Sequence, residues 1–268
     1  MPIYKYMGII AAEKYLENQT IRFQTPNAYN DPYEMKANFF SKSEIKEKSS
    51  EVDFQLYGNS DSLDQHVIKN IDEFPYKLDN SVYSEVCDKI GMACFSESEC
   101  EIPNNVLMWA HYAESHHGIV IKLKSNASVV SMLSDVRYTD SQPVLDAQAL
   151  GGKSFYLSDL YFKSLDWEYE NEKRLAIPLK ECETLQDKDT YGHAVHTHDL
   201  PVKDIEMVFL GSNSSEAILK LGYEFYSKFD IPVIKQKARS DMFGFSAVTS
   251  FGPSIEELKE LNKHYGIK

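Results

Sequence analysis

The pattern of hydrophobic and polar positions predicts that the chain opens with a strand, a helix, a second strand and a loop. Residues 3–6 form the short run Ile-Tyr-Lys-Tyr, which is typical of a strand, and residues 9–18 carry a partly apolar stripe at helical spacing. Residues 20–25 alternate as a strand does, and Pro26 with the turn-rich segment 27–32 ends it.

The composition changes between residues 41 and 90. Ser, Lys, Glu and Asp dominate this segment, and its apolar residues recur at helical spacing, as in Val67, Ile68 and Ile71. We interpret the segment as a helical insertion of two or three surface helices, which is added to the core or covers it.

Strands and helices interleave along the rest of the chain. The pattern predicts strands at 91–96, 118–124, 136–138, the end of 167–178, 204–210, and within 231–237 and 242–251. It predicts helices from Asn104 or Asn105 through Glu114, near 127–134, near 154–165, at 213–228 and from about residue 254. The regular crossovers of a doubly wound fold are missing. We therefore predict one α+β domain over residues 1–268, with a mixed, mostly antiparallel sheet core, flanking helices and a helical insertion at about 41–90.

The charge of the chain restricts its partners. Lys and Arg together number 28 against 41 Asp and Glu, which gives a formal net charge of −13. Passive binding of long duplex nucleic acid needs clustered Lys and Arg, so this balance argues against it, while a nucleotide or a local nucleic-acid contact stays open. The four Arg residues are each candidates for a specific partner, in a structural ion pair or a ligand contact: Arg22, Arg137, Arg174 and Arg239.

The sequence also indicates a cytoplasmic protein. No apolar run approaches the about 20 residues of a membrane span, and the first residues lack the charged and apolar regions of a secretory signal. The four cysteines contain no CxxC pair, which is typical of reduced thiols: Cys87, Cys94, Cys100 and Cys182.

Four segments contain residues suited to chemistry. In the loop Tyr29–Glu34, Asn30 and Asp31 can set the turn by bonding their own backbone, which is the favoured interpretation, or Asp31 and Glu34 can face a ligand. On the helix 107–113, His111 is either a core histidine or a base that hydrogen-bonds a ligand.

The third segment, 167–174, is the most acidic. If it continues as a strand, Glu168, Glu170, Glu172 and Arg174 share one face, and Arg174 can pair one carboxylate while another has a perturbed pKa. The alternative is a solvated edge strand with Trp167 and Tyr169 facing the core.

The fourth segment is 193–199, where His196 and His198 could bind a metal, although a surface loop is the favoured interpretation. GxGxxG, P-loop, GxSxG and HExxH motifs are missing. Cys94 lies in an apolar run, which favours a core thiol over a nucleophile.

Several of these segments resemble a bacterial family known as domain of unknown function 2971. The matching pieces are Tyr4-Lys5-Tyr6, Ile21-Arg22-Phe23 with Pro26, Tyr29–Glu34, Cys94-Phe95-Ser96, Leu107–Ala113, Gly118, Lys163, Trp167–Arg174 and Val208–Gly211. The family usually has Phe where this chain has Tyr29 and Tyr33. Because its members often lie among bacterial defence genes, the resemblance implies a defence or toxin effector.

A more distant similarity is to ADP-ribosyltransferases, whose fold opens with a strand carrying Tyr-(His or Arg)-X and places a catalytic Glu on a late strand. Lys5 takes the first-motif position here, and Glu170 and Glu172 resemble the paired Glu of the arginine-modifying branch. The similarity implies an NAD-consuming ADP-ribosyltransferase or NAD glycohydrolase, with NAD as substrate and no metal. Its predicted catalytic residues are Glu172, Glu170 and His111, and its predicted binding residues are Tyr4, Lys5, Tyr6, Arg22, Asn30, Asp31, Trp109, Tyr112 and Arg174.

Two other functions stay open. One is a metal-dependent nuclease or hydrolase in which Asp31, Glu34, Glu170 and Glu172 gather around Mg²⁺, since that ion prefers oxygen ligands. The other is a non-enzymatic defence sensor or adaptor, whose acidic surface meets a protein partner. The predicted partners are a small-molecule nucleotide and a protein or nucleic-acid target, without a membrane.

Overall fold

The computed structural model describes residues 1–33, 35, 38–40, 54–55, 88–141, 144–146 and 155–251. The helical insertion predicted at about 41–90 lies outside the described residues, apart from the strand Phe54–Gln55 and residues 88–90. The helix predicted from about residue 254 lies outside them as well, as do Glu34 and Cys87.

The described residues form the predicted α+β fold. The helices are α1 (Ile9–Asn18), α2 (Val106–Tyr112) and α3 (Glu216–Phe229). The strands are β1 (Ile3–Met7), β2 (Thr20–Phe23), β3 (Asn38–Phe40), β4 (Phe54–Gln55), β5 (Ile90–Glu97), β6 (Ile119–Leu123), β7 (Ser134–Asp135), β8 (Arg137–Thr139), β9 (Val144–Asp146), β10 (Phe155–Tyr156), β11 (Phe162–Ser164), β12 (Glu172–Pro178), β13 (Glu183–Lys188), β14 (Ala194–Asp199), β15 (Ile205–Leu210), β16 (Val233–Ala238) and β17 (Phe245–Phe251).

The main sheet is mixed and mostly antiparallel. Its eight strands follow the order β17-β16-β15-β6-β1-β5-β12-β7. Strands β15 and β16 pair in parallel, while β1–β5, β1–β6, β6–β15, β16–β17 and β7–β12 pair antiparallel. Strands β13-β14-β2 form a second sheet, and β10–β4, β11–β8 and β3–β9 are short parallel pairs.

Contacts along the chain divide it into two units, each assembled from separate stretches. Unit 1 comprises Met1–Ile21, Phe95–Ser131 and Asp199–Lys268, and unit 2 comprises Arg22–Cys94 and Met132–His198. The single domain predicted over residues 1–268 stays a prediction.

Among the described residues of unit 1, apolar side chains pack between helices α1 and α3 and also around helix α2. Helices α1 and α3 contact each other through Tyr15 and Phe225, whose ring centroids are 6.0 Å apart. Helix α2 places Trp109 in a second cluster with Val120 and Phe209. Successive side chains of a strand point to opposite faces of the sheet, so the same strands can contribute apolar side chains to both groups.

Helix α2 is shorter than predicted. Asn105 caps it, since its side chain accepts hydrogen bonds from the backbone N–H groups of Leu107 and Met108. The helix ends at Tyr112, before Glu114, because residues 114–116 take left-handed φ values of 48°, 52° and 68°. Three successive non-glycine residues in that region are strained, so the surrounding contacts must hold them there.

The predictions for residues 154–165 and 193–199, both in unit 2, are wrong. The helix predicted near 154–165 is replaced by β10, a 3₁₀ helix at Leu157–Leu160 and β11. Short aromatic runs fit both helical and strand spacing, and the pairing of β11 with β8 decides the outcome. The loop favoured at 193–199 is strand β14, which pairs with β13. The weak helix predicted near 127–134 is a 3₁₀ helix at Ser128–Met132.

Gly118 provides a test of the close packing in unit 1. A Cβ atom at this position would lie 1.9 Å from the carbonyl oxygen of Met7, a backbone atom that cannot rotate away. We predict that Gly118→Ala lowers the free energy of unfolding by about 3 kcal/mol or more, measured by chemical denaturation.

Gly192→Ala is the matched control. Gly192 has φ +84° but no atom within 4 Å of its Cβ position, so only backbone strain opposes this change. We expect Gly192→Ala to lower the free energy of unfolding by about 1 kcal/mol. Equal losses for the two variants would contradict the steric explanation.

Candidate functional site

The segment from Lys163 to Arg174 changes from a strand to a turn and back to a strand. Strand β11 ends at Ser164, whose side chain accepts a hydrogen bond at the start of the 3₁₀ helix Leu165–Glu170. Asn171 follows with a left-handed φ of 42°, and β12 begins at the next residue. This turn brings separate charged residues together in unit 2.

The strand predicted across this segment is therefore wrong before Asn171. Glu168 is exposed, whereas Glu170, Glu172 and Arg174 are buried. The 3₁₀ helix and the left-handed residue bring Glu170 to Glu172 and Arg174, which share one face of β12 at alternate positions.

Four side chains form what we call the buried charge cluster: Lys163, Glu170, Glu172 and Arg174. Lys163 Nζ lies 2.5 Å from Glu170 Oε2 and 3.1 Å from Glu172 Oε2. Arg174 Nε lies 2.8 Å from Glu172 Oε1, and its Nη2 lies 3.2 Å from Oε2. All four side chains are at most 5% exposed. Glu172 is therefore held from two sides by positive charges.

The cluster keeps Glu172 ionised. Burial raises its pKa, but the charges of Arg174 and Lys163, with hydrogen bonds from Arg174 and Cys94, lower the pKa more, to about 2. Glu172 is thus a permanent anion at neutral pH. A carboxylate in this state stabilises positive charge rather than donating a proton.

Aromatic rings lie against the two cations. Lys163 Nζ is 5.1 Å from the ring centroid of Trp167, and the Arg174 guanidinium is 5.1 Å from that of Tyr161. Trp167 and Tyr169 are half-buried, so the alternative in which they form a core face is not what the structure shows.

Hydroxyl and thiol groups complete the surroundings of Glu172. Its backbone N–H donates to the Tyr138 hydroxyl over 2.7 Å, and burial raises the pKa of Tyr138. Cys94 Sγ lies 3.2 Å from the Tyr29 hydroxyl, which donates to the carbonyl of Met92. Burial also raises the pKa of Tyr29, so both phenols are neutral.

In the loop Tyr29–Glu34, Asp31 stabilises the turn. Asp31 is buried, and its Oδ1 accepts a hydrogen bond of 2.8 Å from the backbone N–H of Tyr33, as the structural interpretation expects. Asn30 is exposed, and Glu34 lies outside the described residues.

Arg22 has a protein partner. Its Nη2 lies 2.6 Å from Asp189 Oδ2, and Asp189 Oδ1 accepts hydrogen bonds from the backbone N–H groups of Tyr191 and His193. The hydrogen bond from Arg22 lowers the pKa of Asp189 to about 2. Arg22 thereby fixes the turn between β13 and β14.

The predicted binding residues of β1 belong to unit 1. The Tyr4 hydroxyl donates to the carbonyl of Cys100 over 2.7 Å, and its side chain is fully buried. Lys5 Nζ lies 5.4 Å from the ring centroid of Phe95, and Tyr6 packs edge-on against another ring of the unit 1 core. The side chains of Tyr4 and Tyr6 therefore contribute to the packing of unit 1.

The predicted residues of helix α2 also belong to unit 1. Trp109 is fully buried and its Nε1 donates to the carbonyl of Pro103 over 2.7 Å, as expected of a core residue. His111 is exposed, and its ring centroid lies 6.2 Å from that of Tyr112. His116, which follows the helix, stacks on Trp109 with ring centroids 6.4 Å apart.

The described residues place cations, not metal ligands, around the carboxylates. Among the described residues, no three His, Cys, Asp or Glu side chains come together as ligands for a metal ion. Lys163 lies beside Glu170 and Glu172, and Arg174 lies beside Glu172. His196 is one of the two histidines that could bind a metal according to the sequence. Its Nδ1 atom lies 2.9 Å from the Thr184 hydroxyl.

Sequence reasoning named Glu170, Glu172 and Arg174 but not the roles of Lys163 and Cys94. Lys163 stands alone among aromatic residues, seven positions before Glu170, and this isolated cation was the available signal. Cys94, for which the sequence favours a core thiol, is half-buried and contacts the Tyr29 hydroxyl.

Comparison of the chain with protein-family models, curated proteins and solved structures gives no significant match. None of the helices in the described part of the chain has the length and apolar character needed to span a bilayer.

The charge cluster predicts a large stability loss when one partner is removed. Arg174→Met leaves the buried Glu172 with one cation fewer, and we expect the free energy of unfolding to fall by about 3–5 kcal/mol in urea denaturation. Lys173→Met is the control, because Lys173 pairs with the exposed Asp135 at the surface. Lys173→Met should lower the free energy of unfolding by only about 0–1 kcal/mol. Similar losses for both variants would contradict the importance of burial.

The lowered pKa of Glu172 predicts a pH dependence. Because its folded-state pKa is depressed to about 2, its ionised form stabilises the fold above the unfolded-state pKa of about 4.3, and this contribution disappears as pH falls toward 2. The stability difference between wild type and Glu172→Gln should therefore shrink between about pH 5 and pH 2, measured by urea denaturation. A constant difference over that range would show that Glu172 does not titrate as described.

Proposed function

We propose that the protein is an NAD-consuming enzyme, an ADP-ribosyltransferase or NAD glycohydrolase, in which Glu172 stabilises the reacting sugar. The observation that supports this is a carboxylate kept ionised inside a buried, ring-lined environment. Cleavage of the nicotinamide–ribose bond passes through an oxocarbenium-like cation. A fixed carboxylate that is shielded from water stabilises such a cation more strongly than one in solvent.

The proposed reaction balances without a cofactor. The C1′–N bond breaks and its electron pair leaves with nicotinamide, while a water oxygen bonds to C1′ and its proton passes to Glu170 or to solvent. In the transferase form, a nucleophile of a protein or nucleic-acid target replaces water. His111, predicted as catalytic, lies in unit 1 and stays a prediction.

The composition of the cluster also supports a functional role. Burying charged pairs contributes little to stability, and apolar side chains of similar volume often serve as well or better. Buried groups with strongly perturbed pKa values are concentrated at functional sites. Membership of the domain of unknown function 2971 family, a cytoplasmic location and a role in bacterial defence are parts of the same proposal.

A second candidate is a non-enzymatic sensor or adaptor. The observation that favours it is that the four charged side chains are nearly inaccessible and bond to one another. In this case the cluster holds unit 2 together, and the protein acts through its acidic surface.

Incubation with NAD tests the first proposal. We expect the purified protein to release nicotinamide, measured by liquid chromatography, at a rate that EDTA does not change. Glu172→Gln should lower the rate about 100-fold or more, as expected for the loss of a group that stabilises transition-state charge. Glu168→Gln is the matched control, because Glu168 belongs to the same segment but is exposed, and it should keep the wild-type rate.

The other outcomes separate the alternatives. Metal-dependent cleavage of nucleic acid with NAD left intact would favour the hydrolase. No turnover of either substrate by the folded wild-type protein would favour the sensor or adaptor. Thermal unfolding of Glu172→Gln and Glu170→Gln in parallel shows whether a lost activity reflects a lost fold.

A further inference from the structure

The buried charge cluster is electrically balanced. Glu170 and Glu172 contribute two negative charges, and Lys163 and Arg174 contribute two positive charges, all within direct contact. A balanced group exerts little field on a further cation. The proposed function needs an uncompensated carboxylate beside the oxocarbenium-like sugar, so one cation must move before the reaction.

The two cations are held differently. Arg174 lies two residues from Glu172 on the same strand, donates two hydrogen bonds to it and has a side chain with no exposed surface. Its position is therefore fixed with that of the carboxylate. Lys163 comes from β11 and reaches both carboxylates with a single ammonium at the end of a flexible four-carbon chain.

The Lys163 ammonium lies between the two carboxylates. It lies 2.5 Å from one carboxylate and 3.1 Å from the other, where a positive charge gains most from both. This is the place that a positively charged reacting sugar would need. The ammonium and the reacting sugar cannot occupy it together.

We propose that Lys163 is an internal gate of the NAD site, whose ammonium fills the cation position between Glu170 and Glu172 and withdraws when NAD binds. This inference rests on the proposed function. The contacts of the rest of the nucleotide provide the free energy for the displacement, because a ligand can shift such an equilibrium only by its differential affinity for the open form. The cluster described above is the closed form.

Substitution of Lys163 tests the gate. Lys163→Met keeps a side chain of similar length but removes the charge, so the rate of nicotinamide release from NAD should rise about tenfold or more. Lys163→Arg keeps a cation in place and should not raise the rate. Lys173→Met, which removes a cation of β12 that pairs with the exposed Asp135, should leave the rate unchanged.

The results distinguish the gate from the proposed function. If wild type releases nicotinamide and folded Lys163→Met is unchanged or slower, the gate is wrong and the proposed function stands. If Lys163→Met alone is active, both are supported. If neither folded protein releases nicotinamide, the proposed function fails and the gate fails with it.

A measurement on the wild-type protein covers the case in which Lys163→Met does not fold. Acetic anhydride labels exposed amines, and mass spectrometry gives the extent of labelling of Lys163 relative to Lys173. We expect saturating NAD to increase this ratio about tenfold, because displacement exposes the ammonium. An unchanged ratio while NAD is being consumed would overturn the gate, and an unchanged ratio without consumption would overturn both proposals.

Discussion

In unit 2, two carboxylates are buried together with the cations that compensate them, and the local structure follows from this requirement. Burying an ionised carboxylate without a partner is opposed by several kcal/mol of lost hydration. Glu170 and Glu172 meet the requirement through Lys163 and Arg174, all at most 5% exposed. The 3₁₀ helix and the left-handed residue Asn171 allow both carboxylates to reach the same ammonium.

Close backbone contacts organise part of unit 1. Three successive left-handed residues, 114–116, follow helix α2, and partners hold them in this strained form. The Glu114 carboxylate accepts a hydrogen bond of 2.8 Å from the N–H of Ile9 at the start of α1, where a negative charge is favourable. The carbonyl of His116 accepts a hydrogen bond from the N–H of Asn213, and Gly211 passes so close to that carbonyl that no Cβ would fit.

The elements that could be predicted from the sequence are those whose period is clear over many residues. Helix α1, strand β15 and helix α3 lie within a few residues of the predicted ranges. Strand alternation predicts that Glu168, Glu170, Glu172 and Arg174 share one face. The last three are buried and joined by ion pairs, but Glu168 is exposed and the strand begins only at Glu172. The contribution of Lys163 depends on how β11 pairs with β8, and pairing between strands more than 20 residues apart leaves no local pattern to detect.

Charge balance also explains why the same cluster is compatible with both proposed functions. With both cations in place, the carboxylates bond to the protein itself and the cluster acts as a structural core. With Lys163 withdrawn, Glu170 and Glu172 keep one cation between them, and the remaining negative charge is available to a cationic reactant. Because Arg174 stays bound to Glu172 through two hydrogen bonds, that carboxylate remains oriented in the second form. The structural and catalytic interpretations therefore differ by the position of one ammonium group, not by the identity of the residues.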